Sequence, residues 1–249
     1  MARYYQIDQR SREWFAAKLG KPSASNAHKL VTPKGKLSTQ AEGYMHTLIA
    51  ELMLGHPIET PETQWMIRGT ELEEAAMRAY EFQSGNETMD GGWVTTDDGR
   101  YGCSPDRLIG DDGILELKVP APNTHVRYLI EGCMDDEKRP QVQMQMLVTG
   151  RAWVDLVSYH PELPLVITRV ERDEDYIALL SKTLDSFCEQ MAAHCEALQA
   201  QYGPFPEQPE EVAAPEEDQL GITDEDLDAI CCSEPLVFRF CWGRGRIRE

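Results

Sequence analysis

Apolar residues recur along this chain with two different periods, and the change from one to the other predicts the order of its elements. Residues 11–19, with Trp14, Phe15 and Leu19, read as a short helix. Pro22-Ser23-Ala24-Ser25 reads as a second helix start, with serines available as N-caps. Thr32-Pro33-Lys34-Gly35-Lys36 is a basic loop. Longer helical patterns cover residues 38–54, ending at Gly55, and residues 65–82, closed by Ser84-Gly85-Asn86. The period then shortens. Residues 92–95, 107–109, 114–119, 153–159 and 165–171 read as strands. Helical stretches lie between them at residues 123–131 and 139–148, and a last helix covers residues 174–201. Helices come first, then strands, then strands alternating with helices. That order predicts an α/β fold with a central mixed β-sheet flanked by helices.

Composition narrows the class. The chain has 249 residues, 41% of them apolar and 27% charged, which fits a globular protein and excludes a collagen-like or wholly disordered one. No stretch supplies the roughly 18 uninterrupted apolar residues of a membrane-spanning helix. The first residues lack the apolar region of a signal peptide. The seven cysteines contain no Cys-x-x-Cys, so neither a disulfide framework nor a zinc ribbon is expected, and the reading is cytoplasmic. Composition changes near Gly203, where an acidic, proline-containing stretch begins. The expected division is a folded domain at residues 1–203 and a largely disordered extension at residues 204–249.

The net charge of −19 argues against a nucleic-acid partner until its distribution is considered. Residues 1–36 carry +6, whereas residues 207–234 hold eleven acidic residues and no basic one. Exposed charges are screened beyond about 10 Å, so a local basic patch on an acidic protein can still hold phosphate.

The candidate chemistry lies on one hairpin. Asp97-Asp98-Gly99 reads as a turn, and Asp111-Asp112-Gly113 as a second one joining hairpin strands. Alternation puts Ile114, Glu116 and Lys118 on one face of the following strand, with Leu115, Leu117 and Val119 on the other. A Glu and a Lys in an otherwise apolar strand are expensive to bury unless paired or bound to something. The hairpin brings Asp106 beside them. Two converging carboxylates suit Mg2+, or alternatively Mn2+, as hard cations that prefer oxygen ligands. A metal there polarises a phosphate and acidifies water, while Lys118 helps deprotonate or orient that water. A structural salt bridge on a half-exposed hairpin would leave the same pattern.

Ser104-Pro105-Asp106 followed by Glu116-Leu117-Lys118 resembles the PD-(D/E)XK nuclease pattern. Trp14-Phe15-Ala16-Ala17-Lys18-Leu19-Gly20, Ser23-Ala24-Ser25, Gly69-Thr70-Glu71-Leu72-Glu73, Cys103-Ser104-Pro105-Asp106 and Gln141-Val142-Gln143 occur in matching order. Together they resemble the lambda exonuclease (YqaJ-type viral recombinase) family over residues 10–200. The resemblance implies a restriction-endonuclease-like core and a Mg2+-dependent exonuclease that degrades double-stranded DNA from 5′ ends. It implies that Asp106, Glu116 and the carbonyl of Leu117 bind metal. Lys118 would then assist the water, and Glu73 would orient Lys118 or that water. It also implies a 5′-phosphate pocket of Lys18, Ser25, Ser104 and Gln141. Lys18 departs from the arginine familiar in the family, which loses the bidentate fork and predicts a weaker dependence on 5′-phosphate. Lys34 is expected to reach DNA near the cut end, and Met66, beside Trp65, to act as an apolar wedge at the terminal base pair. A homotrimeric ring and a single-strand annealing protein as partner follow from the same resemblance, in phage-type recombination.

Three alternatives stay open on the sequence. RecB-like relatives carry Gln-x-x-x-Tyr after the lysine, but here Gln145 follows Gln141 four residues on and the tyrosine is absent. Another endonuclease of the same superfamily is the nearest rival. A non-catalytic DNA-end-binding scaffold is the rival from another class, and an acidic protein mimicking nucleic acid is the third.

Overall fold

The structure, a computed structural model, describes residues 2–58 and 64–206. The expected extension therefore lies almost wholly outside the described residues.

Helix α1 (Arg12–Lys18) starts where Ser11 Oγ accepts the Trp14 N–H at 3.1 Å. A 3-10 helix (Ala24–Lys29) follows. Helix α2 (Ala41–Leu54) stops at Gly55, whose φ of +74° only glycine adopts freely. Helix α3 spans Gln64–Ser84. The strands are β1 (Arg3–Tyr5), β2 (Thr88–Asp90), β3 (Trp93–Thr95), β4 (Gly102–Cys103), β5 (Arg107–Ile109), β6 (Gly113–Lys118), β7 (Trp153–Ser158) and β8 (Val166–Glu171). Helices α4 (Pro122–Glu131) and α5 (Arg139–Thr149) lie between β6 and β7, and α6 (Glu174–Tyr202) follows β8.

Five strands form a mixed sheet in the order β2-β5-β6-β7-β8. Strand β6 runs antiparallel to β5 and parallel to β7. A parallel neighbour needs a crossover, and α4 with α5 supplies it. Strands β1, β3 and β4 make a smaller antiparallel sheet. Both faces of β6 are covered, so it reads as a nearly continuous apolar run. On one face Ile114 packs with Val142 and Met146 of α5 and Ile177 of α6. On the other, Leu115 and Leu117 pack against Ala76 and Tyr80 of α3. Tyr80 Oη donates to Asp155 Oδ2 on β7 at 2.7 Å, and Arg169 on β8 pairs with the same carboxylate. That buried network ties α3 to the sheet.

Several expectations shift. The segment after Pro22 forms a 3-10 helix, and Ser23 makes no capping bond; its hydroxyl lies 3.3 Å from that of Ser25 instead. Residues 38–40 are not helical and form the turn before α2, with Ser38 N–H donating to Leu30 C=O at 2.9 Å. The β5–β6 turn bends at Gly110, with φ of +48°, and not at Gly113. Gly113 is paired within β6, and a Cβ there would lie 2.3 Å from the Trp153 ring. Strands β1, β2 and β4 were not foreseen.

Candidate active site

The β5–β6 hairpin sets the geometry. Arg107 pairs with Leu115, so Asp106, one residue before Arg107, stands beside Glu116. Asp106 Oδ2 accepts the Leu117 N–H at 2.6 Å. The loop holding Asp106 is fixed from behind. Gln9 Nε2 donates to Pro105 C=O at 3.0 Å, and a Cβ on Gly91 would lie 2.0 Å from that oxygen. Only glycine tolerates such an approach.

Glu116 is 1% exposed, yet its carboxylate is well supplied with donors. Lys118 Nζ and Gln141 Nε2 donate to Oε1, the latter at 2.5 Å, and Gln145 Nε2 donates to Oε2 at 2.6 Å. Gln141 and Gln145 stand one turn apart on α5, so both amides meet the same strand residue. Glu73, half-buried, lies on the face of α3 that also carries Ala76 and Tyr80, one turn before Ala76.

Charge in this cluster is unbalanced. Burial, then the negative charges of Glu116 and Glu73, hold the Asp106 carboxyl well above the usual carboxylate range. Lys118 and the Leu117 N–H pull it down without prevailing. Burial lowers the Lys118 ammonium, but Glu116, Asp106 and Glu73 outweigh it and raise it above its ordinary value. Asp106, Glu116 and Glu73 all act on the single positive charge of Lys118, an imbalance that favours a further cation.

The donor set fits a hard divalent metal. Asp106 keeps uncommitted oxygen lone pairs, Glu116 keeps one on Oε2, and the Leu117 carbonyl is adjacent. Among the described residues no three His, Cys, Asp or Glu side chains gather closely enough to make a metal cage. Mg2+ needs none, since it commonly takes one or two carboxylates and keeps several waters.

The expected phosphate residues assemble in part. Ser23 bridges in parallel to Gly102, and Gly102 N–H donates to Pro22 C=O at 3.0 Å. This lays the segment leading to Ser25 beside the one leading to Ser104. Ser25 is exposed in the 3-10 helix. Ser104 Oγ accepts the Trp14 Nε1–H at 2.7 Å, and Lys18 Nζ sits 4.4 Å over the Trp14 ring. Burial pulls the Lys18 ammonium down, partly offset by Glu51. Gln141 instead faces Glu116. Lys34 is exposed on a loop that Arg139 holds by donating to Pro33 C=O at 3.1 Å. Met66 falls within α3, but its side chain lies outside the described residues. Trp14 and Gln145 were not candidates beforehand. In the sequence Trp14 stands only as a helix residue within the Trp14–Gly20 block, and Gln145 only where relatives carry a tyrosine.

A mixed sheet with Asp and Glu-x-Lys on its central hairpin is the arrangement of PD-(D/E)XK nucleases. Residues 13–152 match the YqaJ-like viral recombinase domain, and the chain belongs to that family. It is similar to an alkaline exonuclease, LHK-Exo from Laribacter hongkongensis, at 34% identity and a TM-score of 0.70 over 77% of this chain and 97% of that one. The complex of LHK-Exo with dAMP matches over the same shares with a TM-score of 0.69. A phage-related exonuclease from Haemophilus somnus 129PT, 14% identical, shares the fold with a TM-score of 0.54 over 70% of this chain and 96% of its own. No curated protein matches the chain significantly. Among the described residues no helix is long and apolar enough to cross a membrane.

Proposed function

We propose that this chain is a Mg2+-dependent double-strand DNA exonuclease that degrades from 5′ ends and leaves a 3′ single strand for recombination. The observation that carries the reading is the Asp106–Glu116–Lys118 cluster on the β5–β6 hairpin, with Glu116 buried and the other two half-buried. The similarity to LHK-Exo, an alkaline exonuclease, supports it. Asp106, Glu116 and the Leu117 carbonyl would hold the metal, which supplies Lewis-acid polarisation of the scissile phosphate when bound. The Lys118 ammonium orients the attacking water, and Glu73 holds Lys118 in place electrostatically. Ser104, Ser25 and Lys18 receive the terminal 5′-phosphate. Ser104 Oγ already accepts from Trp14, which leaves the Ser104 hydroxyl proton available to donate to that phosphate. Contacts to phosphate make cleavage indifferent to sequence and sensitive to salt. A closed ring of copies, threaded by DNA, would give processivity, and a single-strand annealing protein would take the product strand.

The test is digestion of end-labelled linear duplex with and without Mg2+, using 5′-phosphate, 5′-hydroxyl and closed-circular DNA beside Lys118→Ala. Metal-dependent mononucleotides from 5′ ends, absent in the variant, are expected. Cutting of closed circles would make the chain an endonuclease of the same superfamily. Retained end binding without cutting would make it a scaffold.

A further inference from the structure

We propose that Gln145 is the positioning residue of Glu116, turning its carboxylate so that a divalent cation meets it through Oε2 alone. The assignment rests on the metal-dependent reading above. It begins with what is odd about this side chain. Gln145 is 0% exposed and lies between Met144 and Met146, both fully buried. Its Nε2 donates to Glu116 Oε2, but its Oε1 is buried with no hydrogen-bond partner among the described residues. A buried amide satisfied on one side only is a poor structural choice where an apolar neighbour's side chain would fill the space. The amide cannot be reversed to help itself, since Oε1 would then face a carboxylate oxygen. Its donation to Glu116 is what the position retains.

Lone pairs give that donation a consequence. A carboxylate offers about two acceptor sites on each oxygen. Lys118 and Gln141 fill those of Oε1. Gln145 takes one on Oε2 and leaves one. Glu116 is thereby held in one rotation with a single acceptor open, and that oxygen is the one available to a metal. Gln143 makes the contrast on the same helix. It is equally buried, but it donates to Glu171 C=O at 2.8 Å and accepts the Asp173 N–H at 2.9 Å, so both ends are satisfied and neither faces Glu116. One helix thus carries a structural glutamine and a functional one two residues apart.

The experiment titrates the full chain with Mn2+ by calorimetry, for the wild type, Gln145→Met and Gln143→Met, with thermal melting in parallel. Partners that orient a metal ligand typically change metal affinity about 10- to 100-fold when removed. Gln145→Met is expected to weaken Mn2+ binding by that factor, to lower kcat with KM for DNA unchanged, and to regain rate at higher Mn2+. Gln143→Met is expected to melt earlier and bind Mn2+ as the wild type does. Should Gln145→Met not fold, Gln145→Asn, whose shorter amide falls back from Oε2, is read in the same way. Wild-type affinity in the folded Gln145 variant overturns the assignment and leaves the nuclease reading standing. A wild-type protein that binds no Mn2+ overturns both.

Discussion

Trp14 works as a polar residue in this site as much as an apolar one. Its indole N–H fixes the Ser104 hydroxyl, and its ring carries the Lys18 ammonium. Trp14→Phe keeps the ring under Lys18 and removes only the donor. A hydrogen bond of this kind is worth about 0.5–1.5 kcal/mol, so kcat/KM on 5′-phosphorylated ends should fall by about two- to tenfold. Ends bearing a 5′-hydroxyl should be cut at an unchanged rate, and comparing the two substrates is the measurement. An equal loss on both would mean that Trp14 acts through packing. Lys18→Arg should move the same ratio the other way, because a guanidinium fork grips phosphate at two points and an ammonium at one.

At the scale of elements, the hairpin is held by close backbone approaches. Gly91 is the clearest, since a Cβ there would meet the Pro105 carbonyl, which cannot swing aside as a flexible side chain would. Gly91→Ala should therefore displace the segment from Ser104 to Asp106. A misplacement of about 1 Å can lower a rate about 100-fold, and kcat should fall on that order. Gly43 in α2 has open space where its Cβ would stand, so Gly43→Ala should leave kcat unchanged and stabilise the protein by about 0.5–1 kcal/mol. Thermal melting and kcat on both variants separate the two effects. Elements built from local pattern were legible beforehand. Strands β5 to β8 and helices α4 to α6 lie within a residue or two of the positions their periodicity predicts. Asp106 beside Glu116 was legible too, because a hairpin register is local. What could not be read has distant partners. Strand β1 has three residues and pairs Arg3 with Thr95, and Trp14 meets Ser104 ninety positions away. Gln145 becomes meaningful only once α5 packs on β6.

Across the whole molecule, a net charge of −19 coexists with cations from separate segments that act on one imidazole. The imidazole of His28 is held below its ordinary value of 6.5 by burial, then by Lys29 and Lys138, with a backbone contact to Ser25 opposing them. Lys138 immediately precedes α5, whose Arg139 holds the loop carrying Lys34. Tyr176 Oη fastens the same loop by donating to Thr32 C=O at 3.0 Å. Because the folded value of His28 lies below the unfolded one, its contribution to stability is complete above 6.5 and is lost as pH falls through that window. Bound phosphate should reverse the shift, so the His28 midpoint followed by NMR should rise when duplex DNA is added. Salt dependence tests directly whether Lys34 and Lys138 contact phosphate. Each phosphate neutralised releases counterions, and the slope of log K against log salt falls by about one for each such contact removed. Lys34→Ala and Lys138→Ala should each flatten the slope for binding duplex ends by about one, and the double variant by about two. The measurement is end binding without divalent metal over a salt series, so that cleavage does not interfere. A slope unchanged in all three variants would place the DNA path elsewhere. A slope changed by Lys34→Ala alone would confine it to the loop that Arg139 and Tyr176 hold in place, and the low imidazole of His28 would then be a local effect of crowded cations.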